Sequence, residues 1–176
     1  DRFFFKGQLV FRELLQSFGR ELTNAMEMSE IVAVLRRYVD DALAPEYLHV
    51  FVYDPLSGHY IAMAGADGHP TSDVRFPVNS ALVQTLLRRR ESLFFSDVGE
   101  LPEMLQAEQA RLRLISAALF TPMLGRNQLI GWLALGGRKS GEPFTSRDLR
   151  LLETLSDQAA LAVERAQVVA DLERRV

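Results

Sequence analysis

The chain has 176 residues, 48% hydrophobic and 24% charged, with a net charge of −3, which gives one globular domain a core of its own and excludes a disordered segment. No run of Lys or Arg exceeds Arg88-Arg89-Arg90, so the electrostatic footprint of a nucleic-acid partner is missing. There is no cysteine, which excludes disulfides, thiolate metal sites, thiol nucleophiles and a cysteine-linked chromophore.

From Asp1 to about Met26, Leu9/Val10, Leu14, Phe18, Leu22 and Met26 recur at helical spacing, with Arg12, Glu13, Arg20 and Glu21 between them. An amphipathic helix is predicted there. Ser29 is expected to cap a second helix with Val32, Leu35, Val39 and Leu43 on its apolar face, limited by Pro45. YLHVFVYDPLSGHYIAMAG predicts a β-hairpin, two β-rich runs around Asp54-Pro55-Leu56-Ser57-Gly58. GADGHPTSD is a loop, followed by a short strand from Arg75 to Val78 and a short helix from Ser80 to Glu91. A strand in SLFFSD and a helix from Leu101 to Leu114 come next. SAALFTPMLGRNQLIGWLALGG supplies a second hairpin around Gly125-Arg126-Asn127.

The closing helix has Thr145 as its N-cap and Asp148 three positions on. Running from Ser146 to about Arg175, it is about 45 Å long, more than the core of one small domain spans. Its first half is apolar on nearly every side, from Leu149, Leu151 and Leu152 through Leu155 to Val163. The second half keeps Ala162, Ala166 and Val169 on one stripe and Leu161, Val168 and Leu172 on another. The surplus helix is expected to pack on something beyond the domain. No apolar run approaches the roughly 20 residues of a membrane span, so direct membrane insertion is not expected. A start at Asp1 rather than Met is what a piece of a longer protein gives.

LIGWLALGGRKSGEPFTSRDLRLLETLSDQAALAVERAQ resembles the end of a GAF domain, the small α/β sensory module of phytochromes, phosphodiesterases and bacterial signalling proteins. LTNAMEMSEIVAVLRRYVDDAL, FVYDPLSGHYIAMAG and LFFSDVGE extend the resemblance over nearly the whole chain. More narrowly, DRFFFKGQLVFRELLQSFGRELT and LPEMLQAEQARLRLISAALFTPML resemble segments of bacterial sensor histidine kinases that follow a multi-span membrane region. The resemblance implies an α+β fold, an antiparallel sheet of about five or six strands with the terminal helices on one face. Short helices and loops cover the other face, where ligands of the family bind.

It further implies a cytoplasmic domain of a membrane-anchored parent, not an enzyme by itself, feeding its last helix into a dimerisation and phosphotransfer region. The same flanking segments would suit a cyclase or a phosphatase. Residues 1–27 are assigned to an N-terminal signalling and dimerisation helix, 28–160 to the domain core, and 161–176 to the end of the long signalling helix. A parallel homodimer is expected, with Leu14, Phe18 and Leu22 on the first helix and Leu161, Val168 and Leu172 on the last as interface candidates.

Alternation along the strands assigns side chains to faces. Leu48, Val50 and Val52 suit helix packing, which leaves His49, Phe51 and Tyr53 for the ligand face. Leu129, Gly131, Leu133 and Leu135 suit the helices, leaving Ile130, Trp132 and Ala134; Ala118 and Phe120 follow by the same rule. The pocket candidates are therefore His49, Phe51, Tyr53, Ala118, Phe120, Ile130 and Trp132, a composition that is ordinary for a plain core as well.

Departures from the family pattern narrow the ligand. PVNSALVQTLLRRRE places Asn79, Ala81 and Gln84 where many members carry glycine, so its backbone is less permissive. The N-K, F-x-x-x-D-E signature of cyclic-nucleotide-binding members is met only at Lys139, Phe144 and Asp148, with Leu149 in place of the Glu, which argues against a cyclic nucleotide. Covalent bilin attachment by cysteine and cysteine-based methionine-sulfoxide reduction are excluded in their usual form. His49, His59 and His69 lack metal-ligand spacing, although His49 and His59 could meet across the first hairpin; no metal is expected. No nucleophile elbow or phosphate loop appears, and no catalytic residue is assigned. Three readings stay open: a small-molecule sensor, a ligand-free dimerisation and relay element, and a haem sensor with His49 as axial ligand.

Overall fold

A computed structural model describes residues 2–95 and 101–175, with side chains over residues 10–95 and 101–175. The chain order is α1 (Arg2–Asn24), α2 (Met28–Leu43), β1 (Leu48–Asp54), β2 (His59–Ala62), β3 (Arg75–Pro77), α3 (Ala81–Arg89) and β4 (Leu93–Phe94). A 3₁₀ turn (Glu103–Glu108), α4 (Gln109–Ile115), β5 (Leu119–Leu124), β6 (Leu129–Leu135) and α5 (Ser146–Arg175) complete it. The strands form one 6-stranded antiparallel sheet in the order β3-β2-β1-β6-β5-β4. The architecture is the α+β arrangement that the sequence predicts.

Each face of the sheet has its own core. Leu48, Val50, Val52, Leu119, Leu133 and Leu135 pack with α1, α2 and α5. Phe51, Tyr60, Phe76, Phe120 and Trp132 pack with α3, α4 and the 3₁₀ turn. Strand β1 sorts its residues as the pleat demands, but β6 does not. Ile130 joins the terminal-helix side and Leu129 the other, the reverse of the expectation from alternation. Met123 pairs with Gly131 and Leu124 with Leu129, a register shift that leaves Ile130 as an extra residue. One inserted residue reverses the facing of everything before it, so Ile130 is not a pocket residue. A Cβ added at Gly131 would lie 1.9 Å from the Phe51 carbonyl oxygen on the neighbouring strand β1. Pro122 is tolerated within β5 because β4 pairs only with Leu119 and Phe120, leaving that side of the strand open past them.

The helix ends show how local chemistry sets the elements. Helix α2 starts two residues earlier than expected, with Glu27 as an N-cap that makes no side-chain bond, so Ser29 falls inside the first turn. It stops at Ala44, which is left-handed at φ 46 and precedes Pro45. Ser80 caps α3 by accepting from the Val83 N–H. Thr145 and Asp148 cap α5 reciprocally, through bonds of 2.8 and 3.1 Å. The helix expected from Leu101 to Leu114 is divided between the 3₁₀ turn and α4. The strand expected in SLFFSD is Leu93–Phe94, and its Ser96 and Asp97, like the Leu9 side chain, lie outside the described residues.

Two interface candidates belong to the core instead. Phe18 is 0% exposed and Leu22 5%, both enclosed with residues of α2 and α5, and the Phe18 ring meets Tyr38 edge-on at 5.0 Å. An apolar stripe on a helix shows that something covers it, and here α2 and α5 do. Leu14 is half-buried against the same core. Arg165 on α5 donates from Nη2 to the Leu22 and Ala25 carbonyls at 3.1 and 2.7 Å, satisfying backbone acceptors at the end of α1. The buried side chains of α5 end at Ala166. Leu161, Val168 and Leu172 are 69%, 60% and 57% exposed.

The glycine contact makes a testable pair. Gly131→Ala, forced against backbone, is expected to lower the unfolding free energy by about 3 kcal/mol in urea titrations. Gly137→Ala, with nothing within 4 Å of the added carbon, should stay within about 0.5 kcal/mol of the parent.

Candidate functional site

Cross-strand pairing builds the floor of the face away from the terminal helices. Phe51 pairs directly with Trp132, and Tyr60 with Phe76. The Phe51 and Trp132 rings stack with centroids 5.1 Å apart, and Phe76 meets them edge-on at 5.5 and 5.3 Å. Tyr60 leans on Trp132 at 5.1 Å and donates its hydroxyl to the Leu129 carbonyl at 2.7 Å. Burial, helped by Tyr53, pushes the Tyr60 phenol up to about 12. Trp132 is fully buried, and its Nε1–H has no acceptor among the described residues. An apolar floor with an unmet donor can hold a flat or apolar molecule that brings one acceptor.

The cover is set by a charge. Leu82, Val83 and Leu86 of α3 close over the floor with Leu105, Leu112 and Ile115. Glu108, only 4% exposed, accepts from the Ala81 N–H at 2.9 Å and from Arg111 Nη1 at 2.8 Å. Its carboxylate therefore sits at the positive end of α3 and ties that helix to the turn before α4. Sequence reasoning misses Glu108 because its partner is 27 residues away, and no local pattern links them.

Of the expected pocket residues, Phe51, Phe120 and Trp132 lie in this core. Phe120 meets Phe95 edge-on at 5.1 Å. Tyr53 is half-buried beside it, its ring 5.3 Å from Tyr60. His49 stands half-buried at the rim, with Nδ1 2.7 Å from Thr71 Oγ1 and its ring 6.2 Å from Phe51. Burial first, and the Arg36 charge second, hold its pKa below the ordinary histidine value. Ala118 is half-buried just before β5, bonded through its backbone to Leu135 and Phe95. Ile130 is on the opposite face. Tyr60 and Phe76, which complete the floor, were legible only as alternating residues of short strands. His49 and His59 are not brought together, since His59 pairs with Asp54 at the other end of β1 and donates from Nδ1 to the Ser57 carbonyl at 2.9 Å.

Tyr60 gives the floor a pH signature. From about pH 10 the unfolded chain releases the phenol proton that the folded chain keeps up to about 12. Stability is therefore lost as pH rises through that window. Urea unfolding at stepped alkaline pH should show a steeper decline in the parent than in Tyr60→Phe. The variant should also be weaker at neutral pH by about 1 kcal/mol, because the Leu129 carbonyl loses its donor.

Residues 10–164 match the family model described as the GAF domain. No curated protein matches the chain in sequence. Among solved structures, the GAF domain of an Acinetobacter phosphoenolpyruvate-protein phosphotransferase is similar with a TM-score of 0.67 at 16% identity, covering 89% of this chain and 94% of that one. Residues 122 to 287 of a methyl-accepting chemotaxis protein give 0.66 at 19%, covering 86% and 98%. The GAF domain of a two-component sensor histidine kinase from Bacillus halodurans gives 0.62 at 20%, covering 83% and 99%. At these identities the structural likeness is one of fold. With the family model matched over most of its length, and helical layers on both faces of one antiparallel sheet, the chain belongs to the GAF domain family.

Proposed function

We propose that this regulatory domain works inside a bacterial sensor histidine kinase, as a parallel homodimer that passes a signal along its terminal helices. The observation that carries the reading is the unpartnered stretch of α5. Past Ala166 no side chain of the helix is fully buried, and beyond Gln167, which donates to the Tyr53 carbonyl, it keeps Val168 and Leu172 exposed on the stripe begun by Leu161. Separations of seven and four residues are those of a coiled-coil seam, and a second copy of the helix is the surface that fits it. Leu14 and the exposed Val10 continue an apolar margin on α1. Arg165, bonded to the end of α1, makes the two terminal helices respond together. A kinase is favoured as host by the resemblance of the flanking segments, and one similar solved structure comes from such a kinase. The domain would then lie on the cytoplasmic side of a membrane-anchored parent; no helix among the described residues is long and apolar enough to cross a membrane.

The signal itself has two readings. A small molecule held over the aromatic floor would meet the Trp132 donor and shift the packing of the covering helices in proportion to its preference for one of two states. The close ring packing of Phe51, Phe76 and Trp132 favours the second, a relay whose floor is filled by its own side chains. A bilin held by cysteine is excluded, because the chain has none. Native mass spectrometry separates the two: a dimer carrying extra mass supports the sensor, and a bare dimer supports the relay.

The interface is tested by charge. Leu161→Glu with Val168→Glu is expected to give a monomer in sedimentation equilibrium, with the circular dichroism of the parent and a stability change of about 1 kcal/mol or less. Unfolding of this variant, or a parent that is monomeric at high concentration, would remove the support for a dimer through this stripe.

A further inference from the structure

A second site lies on the other side of the sheet, between α2 and the segment after β2. Arg36 of α2 reaches back to β1 and donates from Nη1 to the Leu48 carbonyl at 2.8 Å. Its Nε and Nη2 are buried and have no hydrogen-bond partner among the described residues. Those two nitrogens form one edge of the guanidinium, the edge that holds a carboxylate by two parallel bonds. Burial lowers the pKa of Arg36, and Asp40 and Asp67 oppose that effect through space without forming an ion pair with it. A buried cationic edge with no acceptor is costly, and such edges are ordinarily matched.

The room for a match is adjacent. A cavity of about 470 Å³ is lined by Arg36, Asp40 and Asp41 on the helix and by Met63, Ala64 and Gly65 on the segment facing it. Arg37, also on its wall, is already paired with Glu21. Asp40 and Asp41 are exposed at the mouth. The charged groups of the site are thus the Arg36 guanidinium, the Asp40 and Asp41 carboxylates at the mouth, Asp67 close by, and Lys139, whose charge reaches Asp40, a sum that stays negative. A phosphate or a dicarboxylate would bring extra negative charge to a region already negative. A molecule with one carboxylate and one ammonium group would meet each charge with its opposite.

We infer that this cavity binds a small zwitterion of the α-amino-acid kind, with its carboxylate on the Nε–Nη2 edge of Arg36 and its ammonium group toward Asp40 and Asp41. The inference stands apart from the aromatic floor and from the dimer, and either can fail without it. It adds a route to the signalling layer, since α2 shares its core with α5.

The test is a thermal-shift and calorimetry series on the whole chain with the common L-α-amino acids, against acetate, methylamine and inorganic phosphate. At least one amino acid should raise Tm progressively with its concentration, and neither acetate nor methylamine should match it. Arg36→Lys keeps the charge but loses the fork, and should weaken binding by about tenfold or more. Arg126→Lys, at an exposed turn position, should bind as the parent does. Should Arg36→Lys fail to fold, Asp40→Asn and Asp41→Asn carry the test, and at least one must weaken the amino acid. The proposal is overturned if no amino acid shifts the parent, if Arg36→Lys binds normally, or if both aspartate variants do. An equal response to phosphate, lost in Arg36→Lys, would mean a plain anion site and overturn the zwitterion assignment.

Discussion

Strand β6 is buried along its whole length, and both halves of the domain are built against it. Its inner position in the sheet requires an apolar residue on each face, and its approach to β1 at Gly131 admits no side chain at all. The extra residue at Ile130 lets one strand serve two layers with different needs. Before it, Leu129 faces the short helices and Ile130 the long ones; after it, Trp132 stands opposite Phe51 in the aromatic floor. The placement of the floor therefore depends on a local break in pairing as much as on residue type.

Much of the fold was legible because its signals are local. The reciprocal Thr145–Asp148 cap, the two hairpins and the sorting of β1 each depend on residues a few positions apart, where spacing alone carries the physics. What was not legible depends on partners far along the chain. Ile130 is placed by its register with β5, Glu108 by the backbone of α3, and Phe18 and Leu22 by which helices come to lie on them. Arg36 is the sharpest example. Among Glu30, Arg37, Asp40 and Asp41, which face water, it reads as one more charged surface residue, and its bond to Leu48 and buried nitrogens show that it has turned inward.

The two faces divide the chemistry of the domain. The far face is aromatic and nearly uncharged, closed by a cover that Glu108 holds in place. The near face carries the long helices, and there the polar groups join backbone ends to side chains: Arg165 to the end of α1, Arg138 to the Leu43 carbonyl near the end of α2 and to Asp148 in the first turn of α5. Such bonds fix helix ends relative to one another while leaving the helix middles to pack by shape.

The margins of the sheet have a consequence of their own. One outer strand, β3, spans three residues and the other, β4, spans two, while Pro122 removes an N–H from β5 where β4 no longer covers it. Among the described residues neither border offers a long row of free backbone groups, so a stray strand from another molecule finds little to extend there. Copies of this domain can be brought close together and in high local number without the sheets growing into one another.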